Sequence, residues 1–299
     1  GGTAGTGPDP GAPQAAPPGV ISLRLPARPP FDGAGLMRYL AAHAAPGIEA
    51  GDAGRHARAL RLPAGVAEVE AVLDGDGVRV EARLASLGDL PPLVARLRRL
   101  FDLDADAAAI DAALAADPAL APLVAACPGI RLPGSVDAFE TLVRTMLGQQ
   151  VSVAAASAVV ARLVREASAD PRLFPSPAEL AERGPAVLRG PARRSAAIVA
   201  IAERVADGRL RLDLGRSVAE LRAELEAQPG IGPWTAGHVA MRVLGAPDVL
   251  LESDLALRAG ARRLGLPDSP RGIRERASAW APWRSYAGMH LWRAPTMIG

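Results

Sequence analysis

The chain has 299 residues, 49% of them hydrophobic, and a formal charge of only +2. That is enough for two modest domains with packed cores, and no uncharged apolar run reaches the ~18 residues of a membrane span. All 34 basic residues are arginine and the only cysteine is Cys127, which excludes lysine-amine chemistry, an internal disulfide, a four-cysteine zinc site and a cubane iron–sulfur cluster.

The four histidines are scattered without metal-ligand spacing, so neither a metal nor another cofactor is expected. Residues 1–19 are rich in Gly and Pro, the composition of a flexible linker or tail. No signal-peptide order of charge followed by an apolar run opens the chain. A cytoplasmic protein, in bacteria associated with the nucleoid, is therefore the expectation. The missing initiator methionine reads as a portion of a longer chain.

Ordered sequence is expected from Val20, with a strand-like run to Leu25 and a helix over Leu36–Ala45. Val66–Leu73 and Val78–Leu84 alternate in character around Asp74-Gly75-Asp76-Gly77, a hairpin signal. These elements make an α+β domain over residues 20–88. From Leu90 the pattern becomes helical, rich in Ala and Leu, with no convincing strand. Ser176-Pro177-Ala178-Glu179 and Ser217-Val218-Ala219-Glu220 are helix starts of the capping-box type. Residues 89–299 read as an all-helical body.

Leu221–Leu244 carries the most information. A helix ends near Gln228, Pro229-Gly230-Ile231-Gly232-Pro233 turns the chain, and a second helix begins near Trp234-Thr235-Ala236. Two glycines permit a tight turn, Ile231 can plug the gap between the helices, and backbone N–H groups at a helix N-terminus favour phosphate. Such contacts hold DNA without reading its sequence; an ordinary helical corner is the competing reading. Further on stands Asp254, in Leu250-Leu251-Glu252-Ser253-Asp254. It reads either as the cap of a helix over Leu255–Leu264 or as a catalytic carboxylate, with Glu252 as its rival.

Other segments join these. Pro29-Pro30-Phe31-Asp32, Arg99–Leu103, Arg131-Leu132-Pro133-Gly134 with Asp137–Glu140, Met146–Ser152, Trp280–Ala287 and His290-Leu291-Trp292 follow in order. Over residues 20–293 the chain resembles the AlkA-type 3-methyladenine DNA glycosylases of the helix-hairpin-helix base-excision superfamily. The resemblance implies an α+β N-terminal domain, like half of a TATA-binding protein, on a mostly α-helical two-lobed body. It implies a monofunctional enzyme that flips an alkylated base, such as 3-methyladenine, out of damaged double-stranded DNA and hydrolyses its N-glycosidic bond.

Residue by residue, the resemblance makes Asp254 the catalytic carboxylate and Glu252 peripheral. It places Trp234, Trp292 and Tyr39 at the base pocket, with His238 where a pocket tyrosine stands in the family. Gln150 takes the place of a leucine wedge, although intercalating wedges are usually apolar. Pro229, Gly230, Ile231, Gly232 and Thr235 form the hairpin on the DNA backbone. For Trp280 and Trp283 core packing is retained, and for His238 a structural role is the alternative.

Superfamily members that also cut the strand use a lysine, so its absence implies no AP-lyase step; one cysteine cannot serve the iron–sulfur branch. The chain is expected to be monomeric and, in the full-length protein, fused downstream of an Ada-like alkyltransferase. Residues 255–299 hold eight arginines against Asp268 and Glu275, either a phosphate-facing surface or a solvated face balanced by acids elsewhere. A glycosylase for oxidised or deaminated bases, or a non-catalytic damaged-DNA binding module, are the competing functions.

Overall fold

The computed structural model describes residues 19–297; of the linker expected over 1–19, all but Gly19 lies outside the described residues. The amino-terminal part is strand β1 (Ile21–Pro26), helix α1 (Gly33–Ala42), and strands β2 (Glu49–Gly51), β3 (Arg55–Leu62), β4 (Gly65–Leu73) and β5 (Gly77–Arg83). They form one antiparallel sheet in the order β1-β5-β4-β3-β2. Alternation dictates its inner face: Val78, Val80 and Ala82 of β5 are buried and meet Ala67, Val69 and Ala71 of β4, while Arg79, Glu81 and Arg83 face out. The expected hairpin is present, closed by Asp74 N donating to Gly77 O at 3.0 Å, with Gly75 at φ +59°. Helix α1 begins earlier than the apolar pattern predicts because Asp32 caps it, accepting from Gly35 N at 2.9 Å.

Helices follow in succession: α2 (Leu90–Leu100), α3 (Ala107–Ala115), α4 (Ala121–Ala126), α5 (Ala138–Leu147), α6 (Val153–Ala167), α7 (Pro177–Val187), α8 (Ala192–Ala206), α9 (Val218–Glu226), α10 (Pro233–Leu244), α11 (Leu255–Arg263), α12 (Pro270–Arg276) and α13 (Arg284–Met297). Both capping boxes are formed, by Ser176 with Glu179 and by Ser217 with Glu220. Helix α2, just beyond the 88/89 division, buries Leu93, Leu97 and Leu100 in the core of the sheet together with Leu36, Met37 and Leu40 of α1. Each such leucine contributes on the order of 2 kcal/mol of transfer free energy. The remaining helices bury two further cores. One gathers α5 to α10, the other α3, α4 and α11 to α13, and α10 gives residues to both, Ala236 and Val239 to the first and Met241 to the second. Among the described residues no helix is long and apolar enough to cross a membrane.

Strands β2 and β3, which the sequence does not announce, are explained by a buried lattice of charge. Arg58 of β3 would face solvent in an ordinary strand, yet its side chain is only 6% exposed. It donates to Glu49 Oε1 at 2.9 Å and to Glu140 Oε2 of α5 at 2.7 Å. Arg144 of α5 closes the square, donating to Glu49 Oε2 and Glu140 Oε1, both at 2.8 Å, and to His43 O at 2.6 Å. Two cations and two anions of fixed geometry thus join the sheet to the helical body. Burial alone would raise the Glu49 carboxyl, but Arg144 and Arg58 outweigh it and hold it at about 2 against an ordinary 4.5. A carboxyl depressed in the folded state contributes stability that is complete above its unfolded pKa and is lost as pH falls toward its folded one. Glu49→Gln, which leaves an arginine buried without its partner, is expected to cost about 3 kcal/mol at neutral pH. It should also flatten the loss of stability between pH 4.5 and 2. Urea unfolding over that pH range measures both, and an unchanged acid limb would remove Glu49 from the lattice's account.

Candidate active site

Between the two helical cores lies a cleft of about 1520 Å³ whose wall includes Tyr39, Trp234, His238, Asp254 and Trp292. These five come from α1, α10, the turn before α11, and α13, and no two of the four elements adjoin in sequence except α10 and α11. The base-pocket residues expected from the sequence and the expected catalytic carboxylate therefore share one cavity.

Asp254 organises it. The residue caps α11, its Oδ1 accepting from Leu257 N at 2.8 Å. The same oxygen accepts the Trp292 indole N–H at 2.8 Å, and Oδ2 accepts the Trp234 indole N–H at 3.0 Å. A carboxylate offers about four lone-pair sites, so three fixed donors leave one, on Oδ2, for an incoming group. Cap and candidate catalyst are one residue. Glu252, the rival carboxylate, pairs instead with Arg274 at 2.7 Å.

The Trp234 ring stacks on His238 four residues along α10, with centroids 5.3 Å apart and planes 6° from parallel. Burial holds the His238 imidazole down at about 3, with the Arg242 cation adding to the effect, so the ring is neutral at physiological pH. Tyr39 stacks on His43 at 4.0 Å, and its hydroxyl accepts from Arg242 Nη1 at 3.0 Å. Arg242 Nη2 reaches Gly134 O at 3.1 Å, so this residue, which sequence reasoning missed, ties α1, α10 and the loop before α5 together at the pocket. Its position two turns beyond Trp234 on α10 was the available signal.

The hairpin borders the cleft through Gly232, Pro233 and Thr235. Pro229, Gly230, Gly232 and Pro233 are exposed, whereas Ile231 is buried among Leu221, Leu225, Ala236 and Ala240. Gly230 has φ +80°, and helix α10 starts with no side-chain cap, so no side chain from its N-cap occupies its first N–H groups. The Thr235 hydroxyl is not presented outward; it is buried and accepts from Gln149 Nε2 at 2.9 Å. Thr235 thereby links the hairpin to the loop that carries Gln150. Arg194 of α8 adds a second tie, donating to Gln149 O at 3.1 Å. Gln150 itself is exposed at φ +62°, beside the exposed Val151 and Val153.

The remaining aromatic and basic residues have structural partners. Trp280 is buried and donates to Asp117 at 2.6 Å, and Trp283 borders the same core. Of the eight arginines in 255–299, Arg262, Arg271, Arg274, Arg276, Arg284 and Arg293 pair with Asp268, Glu275, Glu252, Asp117, Asp248 and Asp32. The balanced-face reading describes them better than a bare phosphate-binding surface. Among the described residues no group of three or more His, Cys, Asp or Glu could hold a metal ion.

Residues 22–137 match the model of the AlkA N-terminal domain, and residues 143–285 that of the HhH-GPD superfamily base excision DNA repair proteins. The DNA-3-methyladenine glycosylase 2 of Escherichia coli is 34% identical over 278 residues, covering 89% of this chain and 94% of that one. The chain belongs to the AlkA branch of the HhH-GPD superfamily. Another AlkA relative, the probable bifunctional transcriptional activator/DNA repair enzyme of Mycobacterium tuberculosis, is 45% identical over 282 residues; these make up 92% of this chain but 57% of that protein. The chain thus spans little more than half the length of that AlkA relative. The AlkA fold also extends to the 3-methyladenine DNA glycosylase structure from Archaeoglobus fulgidus, with a TM-score of 0.79 over 93% of this chain and 99% of that one at 20% identity.

Asp254→Ala removes a cap, worth about 1 kcal/mol by itself, and also strands two indole N–H groups. The expected loss in urea unfolding therefore exceeds that of a cap alone, accompanied by a change in tryptophan fluorescence. A loss no larger than a cap's, with fluorescence unaltered, would show that the indole bridges contribute nothing.

Proposed function

We propose that this chain is a monofunctional DNA glycosylase that excises alkylated bases such as 3-methyladenine from duplex DNA. The observation that carries the reading is Asp254, bracketed by the Trp234 and Trp292 indoles in an aromatic cleft beside the hairpin. Extruding a nucleotide costs a few kcal/mol, and stacking on electron-rich rings offsets it, most of all for a base made cationic by ring alkylation. The glycosidic bond then breaks with its electron pair leaving on the base, which becomes neutral. Positive charge develops on the sugar as in glycoside hydrolysis. A carboxylate held by three donors is preorganised to stabilise that charge, and its remaining lone pair on Oδ2 can orient the water that adds to the sugar carbon and accept the proton that water loses. A neutral His238 adds no repulsion against a cationic base.

In this proposal Gln150 fills the gap left by the flipped nucleotide and hydrogen-bonds to the orphaned partner base. Pro229, Gly230, Ile231, Gly232 and the Thr235 backbone hold phosphate. A chain without lysine has no side-chain amine for a Schiff base, so the product is a free base and an intact abasic strand. The division into 20–88 and 89–299, action as a monomer on nucleoid DNA in the cytoplasm, and an upstream Ada-like domain belong to the same proposal. The last is supported by the longer, bifunctional name and length of the M. tuberculosis relative.

Methylated duplex DNA incubated with the protein in EDTA is expected to release methylated purine and to break only after hot alkali. Asp254→Asn should bind the duplex but release at least 100-fold less, the scale of removing one electrostatic contributor. Tight binding without release by the wild type would overturn the reading in favour of a binding module. In a separate test, Gly230→Val places a side chain at φ +80° and a Cβ 3.0 Å from that of Ala197, straining the turn by on the order of 1–3 kcal/mol. Affinity for undamaged duplex, measured by fluorescence anisotropy, should fall about tenfold, and unchanged affinity would exclude the hairpin from the interface.

A further inference from the structure

Hydrogen bonding around His238 defines which way its imidazole is protonated. Thr145, buried on α5, donates its hydroxyl hydrogen to Thr141 O one turn back, at 2.7 Å. Its oxygen then faces His238 Nδ1 at 3.3 Å with only lone pairs to offer. Nδ1 must be the nitrogen that carries the hydrogen, because a hydroxyl has a single proton. In a neutral imidazole the other nitrogen, Nε2, is then a bare acceptor. Neutrality follows from burial and from Arg242 one turn further along α10. His238 lines the cleft and lies parallel to Trp234. Nε2 has no protein partner among the described hydrogen bonds and is not among the enclosed, unsatisfied nitrogens. It is the atom left for a ligand.

We propose that His238 is a specificity-determining residue, its Nε2 accepting a hydrogen bond from the amino group at C6 of a flipped adenine derivative, with Thr145 as the positioning residue that selects the tautomer. This rests on the glycosylase reading above. Adenine derivatives present an N–H donor at C6, and alkylation of the ring strengthens it by making it part of a cation. Guanine and hypoxanthine derivatives present a carbonyl oxygen there, which would set lone pair against lone pair in a desolvated pocket, and such mismatches are rejected more strongly than a missing contact. The site therefore favours 3-alkyladenine over 7-alkylguanine. A tyrosine at this position, with a hydroxyl that both donates and accepts, would not make that distinction.

The test is the ratio of 3-methyladenine to 7-methylguanine released from methylated duplex DNA, resolved by chromatography from initial rates. His238→Phe keeps a ring to stack on Trp234 and loses the acceptor, and is expected to lower the ratio about tenfold. Thr145→Val should lower it several-fold and Thr145→Ser, which retains the hydroxyl, should restore it; a merely structural threonine would not show that rescue in a ratio. A ratio unchanged in His238→Phe overturns the assignment while leaving the glycosylase reading intact. Release of neither base by the wild type overturns the glycosylase reading and this assignment with it.

Discussion

One carboxylate accepting three N–H groups from three elements governs the arrangement of the cleft. Asp254 receives Leu257 N from α11, the Trp234 indole from α10 and the Trp292 indole from α13. Satisfying all three requires α11 and α13 to approach closely, and the chain provides for it at Gly260, where a Cβ would stand 2.0 Å from Leu291 O. Leu291 immediately precedes Trp292, so the glycine that admits the close contact also sets where that indole points. Any side chain there would have to push α13 outward, and the Trp292 indole would move with it. Helix cap and cleft wall are thus one residue, since the torsions that let Asp254 start α11 also place it in the lining of the cavity.

Charge is used in this chain chiefly to assemble it. Arg58 and Arg144 join the sheet to α5 through Glu49 and Glu140. Arg131, fully buried, donates to the carbonyls of Asp102, Ala105, Arg28 and Pro30. Arg284 grips Asp248 through two hydrogen bonds of 2.6 Å. Guanidinium suits this work because its planar fork satisfies several acceptors at once and stays charged when buried. Breaking such a pair is costly in a way that its formation does not repay in equal measure, so these contacts act above all to specify geometry. The hairpin, by contrast, presents the exposed Pro229, Gly230, Gly232 and Pro233 and a start of α10 without a side-chain cap.

Much of this was legible in the chain itself where the physics is local. The β4–β5 hairpin follows from alternation around Asp-Gly-Asp-Gly, the two capping boxes from Ser and Glu three residues apart, and the α9–α10 turn from its paired glycines. The position of Asp254 at a helix start follows equally from its neighbours. In each case the deciding contacts lie within a few residues, and propensity and turn chemistry act over that range. Resemblance to a family then gathered Tyr39, Trp234, His238, Asp254 and Trp292 into one expectation, which spacing alone does not imply.

What the sequence did not disclose depends on partners far along the chain. Strand β3 reads as polar because Arg58 finds Glu140 only 82 residues later, and a one-dimensional pattern cannot tell a solvated arginine from a buried, paired one. Arg242 meets Tyr39 across 203 residues and Thr145 meets His238 across 93, so neither the architecture of the pocket floor nor the tautomer of its histidine exists until the fold closes. The sequence by itself determined the elements, their caps and the chemical types brought to the site. Tertiary structure decided which oxygen of Asp254 stays open, which arginines are already neutralised and which nitrogen of His238 accepts, because lone pairs and protons are allocated by contacts that form only when distant segments are packed together.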